Sequence, residues 1–286
     1  VASLVGSEMC IRDRLKSLTD LGHKPKAYVD IRDQKNIEKE TVELLEKFSI
    51  PFYPKSEVEG CEGQKEVKKV SIRTKKNQIN KIKTSMLCVS GGFNPDIHLF
   101  TQSKGLLKWD KDHLTFKPDR IFQKTITLGS VSGNFSYEKL LVEVEKKLSE
   151  FEGLNELEVK FELNGPEKFQ IKELWETKHE KKSLWSKSFI DLQNDVTTKD
   201  LRQAVNEGFN RIEHLKRFTT NSMGTDQGKI SSINALGIVS KILKKDISEV
   251  GTTTYRPPYS PVNFSAIAGR STSVSYTHLR AHETGY

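Results

Sequence analysis

The sequence predicts an α/β protein: a partial dinucleotide-binding, Rossmann-like domain followed by a small helical domain. Three stretches carry that prediction. Residues 15–30, LKSLTDLGHKPKAYVD, read as a helix end, a turn at Gly22–His23 and a strand Lys26–Asp30 that closes on a carboxylate. Residues 84–92 form an apolar strand ending in Gly91–Gly92. Residues 189–229, FIDLQNDVTTKDLRQAVNEGFNRIEHLKRFTTNSMGTDQGK, read as two short helices in a frame of polar loops.

Composition narrows the classes. With 286 residues, 35% hydrophobic and 29% charged, the chain is long enough for one large domain or two smaller ones with a real core. The longest apolar run, Thr84–Val89, is strand-sized and far short of the roughly 20 residues that cross a bilayer. A soluble, cytoplasmic protein with no membrane partner is therefore expected. Cys10, Cys61 and Cys88 fit neither a redox pair nor a zinc site, which agrees with a reducing compartment. The net charge of +8 admits nucleic acid. However, the lysines are interleaved with glutamates as on solvated helix faces, and an anionic nucleotide cofactor satisfies the same balance.

The two ends, VASLVGSEMCIRDR (1–14) and VSYTHLRAHETGY (274–286), resemble translated sequencing-adapter read-through and are expected to lie outside the fold. On that reading the chain is an internal fragment. The glycine-rich loop that should precede the first helix then lies upstream of Leu15.

Asp30 closes what would be the second strand of a dinucleotide unit, where an acidic residue takes the ribose hydroxyls. Arg32 could instead neutralise a 2′-phosphate, so NAD against NADP stays open; an ordinary strand-end role for Asp30 is the plainer alternative. IEKETVELLEKF is an amphipathic helix, and Ile50–Tyr53 enters a strand. Val67, Val70 and Ile72, a turn at Asn77, and Ile79 and Ile82 on the return make a β-meander. It feeds the strand Thr84–Ser90, whose Gly91 and Gly92 would let backbone approach a ligand before the turn at Asn94–Pro95. His98 and His113 have no second ligand at metal spacing and read as structural or surface residues; Trp109 reads as core or interface. Tyr137–Phe151 is a packing helix with Leu140, Leu141, Val144 and Leu148 on one face.

A linker, 152–188, contains a hairpin at Asn164–Gly165–Pro166. Its Trp175 and Trp185, set among lysines, read as core anchors rather than a stacking platform for nucleic acid. In the helical domain, 189–250, Thr197 and Asp200 form a capping box for a helix that Gly208 ends. The next helix, Arg211–Thr219, turns Ile212, Leu215 and Phe218 inward and leaves His214, Lys216 and Arg217 on or near the outside. A third helix spans Lys229–Lys244. The run EHLKR admits a DNA-reading helix-turn-helix, but the second helix is short and the loop after it is rich in glycine and hydroxyls. Such a loop suits a phosphate or flavin better.

Residues 90–110, SGGFNPDIHLFTQSKGLLKWD, resemble a stretch of the α subunits of heterotetrameric sarcosine oxidases. RIFQKTITLGSVSG resembles the last strand–glycine–helix unit of the flavoprotein superfamily, whose FAD-binding members usually carry Gly-Asp. Here Ser130 follows Gly129, which favours NAD. Residues 189–229 resemble the bacterioferritin-associated-ferredoxin type of 2Fe–2S domain, whose four cysteines fall at Asp191, Gln193, Asp226 and Ser231. Clusters need thiolates or occasionally histidine and no cysteine follows Cys88, so no iron–sulfur cluster and no metal is expected. Together with EVGTTTYRPPYSPVNFSAIAGR, the stretch is similar to the cluster-less domain of the same α subunits.

The resemblance covers about residues 15–270 and implies oxidative demethylation of sarcosine to glycine. Tetrahydrofolate would take the one-carbon unit and oxygen would become peroxide. It implies a β subunit and smaller subunits as partners, an FMN shared with β, and a folate domain past the connector 251–273. NAD contacts are expected from Asp30, Gly91, Gly92 and Gly129. An FMN wall is expected from Lys216, Arg217, Thr219, Thr220, Gln227 and Lys229, with Thr252, Thr253, Thr254 and Arg256 further out. No catalytic residue is expected; the chain would hold cofactors and dock subunits. The alternatives are an α subunit of a related complex that oxidises another amine, such as proline or an opine, and a basic nucleic-acid-binding module.

Overall fold

The computed structural model describes residues 2–6, 9–134, 137–148, 171–177, 188–256 and 263. β1 (Ala2–Gly6), α1 (Met9–Asp20), β2 (Ala27–Asp30), α2 (Lys39–Lys47) and β3 (Phe52–Pro54) follow in turn. A three-stranded antiparallel meander comes next, β4 (Glu57–Glu62), β5 (Lys69–Arg73) and β6 (Ile79–Lys83), before β7 (Met86–Ser90) rejoins the first sheet. The order of that sheet is β3-β2-β1-β7, and every pair is parallel. Strand order reverses between β1 and β7. Open α/β sheets bind ligands beside such a reversal, at the carboxyl ends of the strands.

One expectation is corrected at once: residues 1–14 do not lie wholly outside the fold. Ser3, Leu4 and Val5 register with Ala27, Tyr28 and Val29 on one side, and the whole of β1 registers with Met86–Ser90 on the other. Without β1, the ladders of β2 and β7 would each face an empty edge, and buried backbone groups need partners. α1 begins inside the same segment, with Ile11 and Leu15 one turn apart and both buried.

β2 is buried on both faces, and its period-two alternation sorts the core. Tyr28 packs with Ile11, Leu15, Leu45 and Ile50 on the helical side, while Ala27 and Val29 meet Val70 and Ile72 of the meander. Each large side chain so buried contributes about 1.5–3 kcal/mol, which fixes the strand whose end faces the site.

Beyond β7 come α3 (His98–Gln102), the hairpin β8 (Leu106–Asp110) and β9 (Thr115–Arg120), and α4 (Tyr137–Leu148). The strand expected before Gly129 does not form: β9 pairs with β8 alone, and residues 121–128 find no sheet edge. α4 sets Leu140 against Gly129 but leaves Leu141 exposed, contrary to the expected packing face.

The second unit comprises β10 (Phe189–Asp191), β11 (Val196–Thr197), α5 (Thr198–Asn206), α6 (Ile212–Thr219), α7 (Ser231–Leu243) and α8 (Ile247–Val250). The Thr197–Asp200 capping box is present in both halves. Leu201, Ala204, Leu215, Ala235, Ile238 and Val239 form its core together with Ile97 and Phe116, which the sequence reading places in the first domain. Phe218 is 45% exposed and stacks on Phe209, whereas Lys216 is buried, the reverse of expectation for both. The inward stripe of α6 runs Ile212, Leu215, Lys216 at i, i+3, i+4, and position 218 falls off it. The hairpin at 164–166, Trp185 and residues 274–286 lie outside the described residues.

Candidate functional site

A cavity of about 440 Å³ opens at the carboxyl ends of β2 and β7, beside the reversal of strand order. Val29 and Ile31 form one wall, Ser90, Gly91 and Gly92 a second, and Lys229, Ile230 and Ile233 at the start of α7 a third. Gly92 has φ 123°, a backbone region that side chains other than hydrogen disfavour. A Cβ on Gly91 would meet nothing, so its Cα faces open space. Trp175 completes the enclosure. Its ring lies so close to Gly237 of α7 that a Cβ there would collide with the indole, and its Nε1 donates to Glu173 at 3.0 Å. From the last residue of β1 to the start of α1 the sequence reads Gly6–Ser7–Glu8, one glycine and a carboxylate where dinucleotide units carry three glycines.

Asp30 is not presented to this cavity. Arg32 donates to its carboxylate from Nη2 at 2.9 Å, from Nε at 3.2 Å and from the backbone N–H at 2.8 Å. Burial pushes the Asp30 carboxyl up, and the Arg32 hydrogen bonds offset only part of that rise. The oxygens expected to take ribose hydroxyls are thus turned to Arg32. Arg32 lies two residues beyond the end of β2, in a bend that folds it back on Asp30. Gly129 is elsewhere too: its φ is 67°, its N–H donates to Glu143 Oε2 at 3.1 Å, and it makes a turn under α4. Of the four expected NAD contacts, Gly91 and Gly92 line the cavity.

The positions aligned with cluster cysteines are tied to one another by hydrogen bonds. Asp191 accepts from the N–H groups of Gln193 at 2.9 Å and Ser222 at 2.7 Å. Gln193 Oε1 accepts from the Asp226 N–H at 3.3 Å, and Ser231 Oγ pairs with Ser222 Oγ at 3.0 Å. Two carboxylates, an amide and a hydroxyl are hard donors, unsuited to an iron–sulfur cluster. Among the described residues no group of three His, Cys, Asp or Glu side chains converges as a metal site.

The expected FMN wall divides. Lys216, Arg217, Thr254 and Arg256 gather where α6 meets the connector. Lys216 Nζ donates to the Thr254 carbonyl at 3.4 Å, and the Thr254 N–H donates to Glu213 at 2.6 Å. Burial pushes the Lys216 ammonium down; Glu213 opposes this, Arg256 and Arg217 reinforce it, and the net shift is downward. Thr253 Oγ1 is buried beside them without a partner among the described residues, and Thr252 is half-buried. Thr219 and Thr220 spend their hydroxyls on the carbonyls of Leu215 and Thr219 at the end of α6. Gln227 donates to Gly224, and its carbonyl lies 3.4 Å from His98 Nε2. His98 itself is buried against Tyr255, with ring centroids 3.8 Å apart, a structural role as expected. Lys229 joins Gly91 and Gly92 at the strand-end cavity instead, 4.0 Å from Asp96.

Residues 185–270 match the family model of the sarcosine oxidase A3 domain. Around the A3 domain the likeness is wider. The chain is 34% identical over 206 residues to sarcosine oxidase subunit alpha of Rhizobium meliloti (strain 1021), covering 70% of this chain and 20% of that protein. It is 31% identical over 198 residues to sarcosine oxidase subunit alpha of Corynebacterium sp. (strain P-1), covering 67% and 20%. The chain therefore spans about one fifth of the length of these curated relatives. Among solved structures, L-proline dehydrogenase from P.horikoshii matches with a TM-score of 0.55 at 23% identity, over 91% of this chain and 53% of that one. That is a likeness of fold. The resemblance read from the sequence and the Rossmann-like plus helical architecture both hold.

Proposed function

We propose that this chain is the cofactor-holding part of a sarcosine oxidase α subunit, an oxidoreductase of the CH–NH class. It binds a nicotinamide dinucleotide, NAD on the sequence reading, in the strand-end cavity. It walls an FMN shared with a β subunit, and a folate domain follows in the full-length subunit. The observation that carries this reading is the cavity at the β1/β7 reversal, bounded by Gly91–Gly92 on one side and by the A3 helix α7 on the other.

With Gly6 closing β1 and no glycine between it and α1, close approach to the pyrophosphate falls to Gly91 and Gly92, and Lys229 offers the nearby positive charge. A flavin would supply two-electron transfer. The chain's own part is to hold its anionic end with Lys216, Arg217 and Arg256, and the A3 positions aligned with cysteines serve as scaffold rather than ligands.

Two measurements test the reading. Titration with NAD⁺, followed through the fluorescence of Trp175 in the cavity wall, is expected to saturate; a response that never saturates removes the dinucleotide. In a complex co-expressed with a β subunit, which on the resemblance holds the FMN covalently, Lys216→Met is expected to lower the reduction potential of the flavin, because a nearby cation favours its anionic reduced form. A complex that oxidises proline and leaves sarcosine untouched moves the assignment to another amine.

A further inference from the structure

The sheet side of the molecule, from β1 to β7, and everything from Asn94 onward keep separate apolar interiors. Among the described residues, the two clusters built around β2 draw on residues from Ile11 to Cys88, and the A3 cluster on residues from Ile97 to Tyr255. The chain passes between them at Gly91–Gly92, where a Cβ on Gly91 would meet nothing and Gly92 has φ 123°. Glycine backbone turns more freely than any other, and units with separate cores move relative to one another unless something holds them. The strand-end cavity lies across this joint. Val29, Ile31 and Val89 come from one side, Lys229, Ile230 and Ile233 from the other.

Residues 171–177 span the joint. At one end Lys172 Nζ donates to the carbonyl of Ile31, just past β2, at 3.3 Å. At the other, the Trp175 indole packs against the A3 core, so close to Gly237 of α7 that no Cβ fits between them. Arg202 of α5 grips the next residue, Glu176, through both terminal nitrogens, at 2.6 and 3.2 Å, with both side chains largely buried. Lys241, one turn beyond Gly237, lies 3.7 Å from Glu173, but that pair is half exposed and contributes little. Lys172, Glu173, Leu174 and Trp175 line the cavity, whereas Glu176, Arg202 and Gly237 are not among its walls.

We infer that residues 171–177 are a clasp that holds the two sides closed over the strand-end cavity, with Gly91–Gly92 as the hinge and the Glu176–Arg202 pair as the fastening. Glu176 and Arg202 are then positioning residues, acting on the cavity through a contact that its ligand never touches. A ligand that bridges both walls favours the closed arrangement, and by linkage the seated clasp favours the ligand to the same degree. The ligand side of the inference rests on reading the cavity as a dinucleotide site.

The test compares the intact chain with Arg202→Glu, which sets two carboxylates against each other, and with the swap Arg202→Glu/Glu176→Arg, which restores the pair in reverse. Hydrogen–deuterium exchange is read at residues 27–32 and 86–93, across the joint from α5. Faster exchange there in Arg202→Glu, returned toward the parent rate in the swap, is the expected result. Exchange unmoved in the single variant, or not returned in a folded swap, overturns the clasp. If either charge variant fails to fold, Glu176→Gln, which takes away one charge at nearly constant size, is read the same way. The second readout is calorimetric titration with NAD⁺. Arg202→Glu is expected to weaken binding about tenfold or more, the value of a charge-assisted pair, and the swap to recover most of it. Equal affinity in parent and variant overturns the coupling between clasp and cavity. A parent chain that does not bind NAD⁺ removes the dinucleotide reading, and the exchange result then decides the clasp by itself.

Discussion

Arg32 in the Rossmann-like half and Lys216 in the A3 domain are both buried cations, 3% and 7% exposed, but they are satisfied differently. Arg32 faces a carboxylate that it grips with two side-chain nitrogens. Among the described residues Lys216 bonds one backbone carbonyl at 3.4 Å, with Glu213 near enough to oppose, but not to cancel, the downward push of burial and two arginines on its pKa. Removing a charge from water is costly unless an opposite charge meets it. Where the chain supplies that charge itself, the cation is part of the architecture. Where it supplies a carbonyl, the remaining field is directed at whatever anion docks there.

The strongest way to break this contrast is Arg32→Ala, which leaves Asp30 as a buried carboxylate without its partner. Urea unfolding is expected to show a loss of about 3–5 kcal/mol; a loss near zero would mean the pair is not structural. Lys216→Met should move the other way, raising stability by about 1–3 kcal/mol because a poorly satisfied buried charge is replaced by a thioether of similar length. Destabilisation would show that the fold already satisfies the ammonium.

The same lysine gives a pH test. Its folded pKa is lowered from 10.5, so below the folded value both states are protonated and the full cost of burial applies. As pH rises from the folded pKa toward 10.5, the unfolded state binds more protons than the folded one, and stability rises with pH. The deficit of the parent chain relative to Lys216→Met should therefore shrink as pH approaches that value, and a constant gap would contradict the assignment. The smallest effect is expected from Thr197→Ala, which removes half the capping box of α5 and should cost about 0.5–2 kcal/mol. That value calibrates what an ordinary polar contact contributes beside the two buried cations.

Much of the fold was legible because its elements repeat. β5, β6, β7, α2, α5 and α7 all announce themselves through period-two or period-3.6 spacing. β4 did not, because EVEGCE carries one large apolar residue, Val58. The Lys216 burial was present in the i, i+3, i+4 relation to Ile212 and Leu215, yet a lysine beside an arginine invites a surface reading. The Asp30–Arg32 pair carried no such mark, because Arg32 lies in a bend beyond the end of β2. The cavity itself was not readable, since Val29, Gly91, Trp175 and Ile233 meet across more than half the chain. No local pattern encodes such a meeting.

Ile97 and Phe116, from the segment around α3 and β9, complete the core of the A3 domain. The stretch that evolution passes on as a recognisable module, 185–270, is therefore shorter than the stretch that closes over its own apolar interior. Grafted onto another protein by its family boundaries alone, the module would arrive with a gap where those two side chains belong. A graft that carries residues 94–120 with it would bring its own lid.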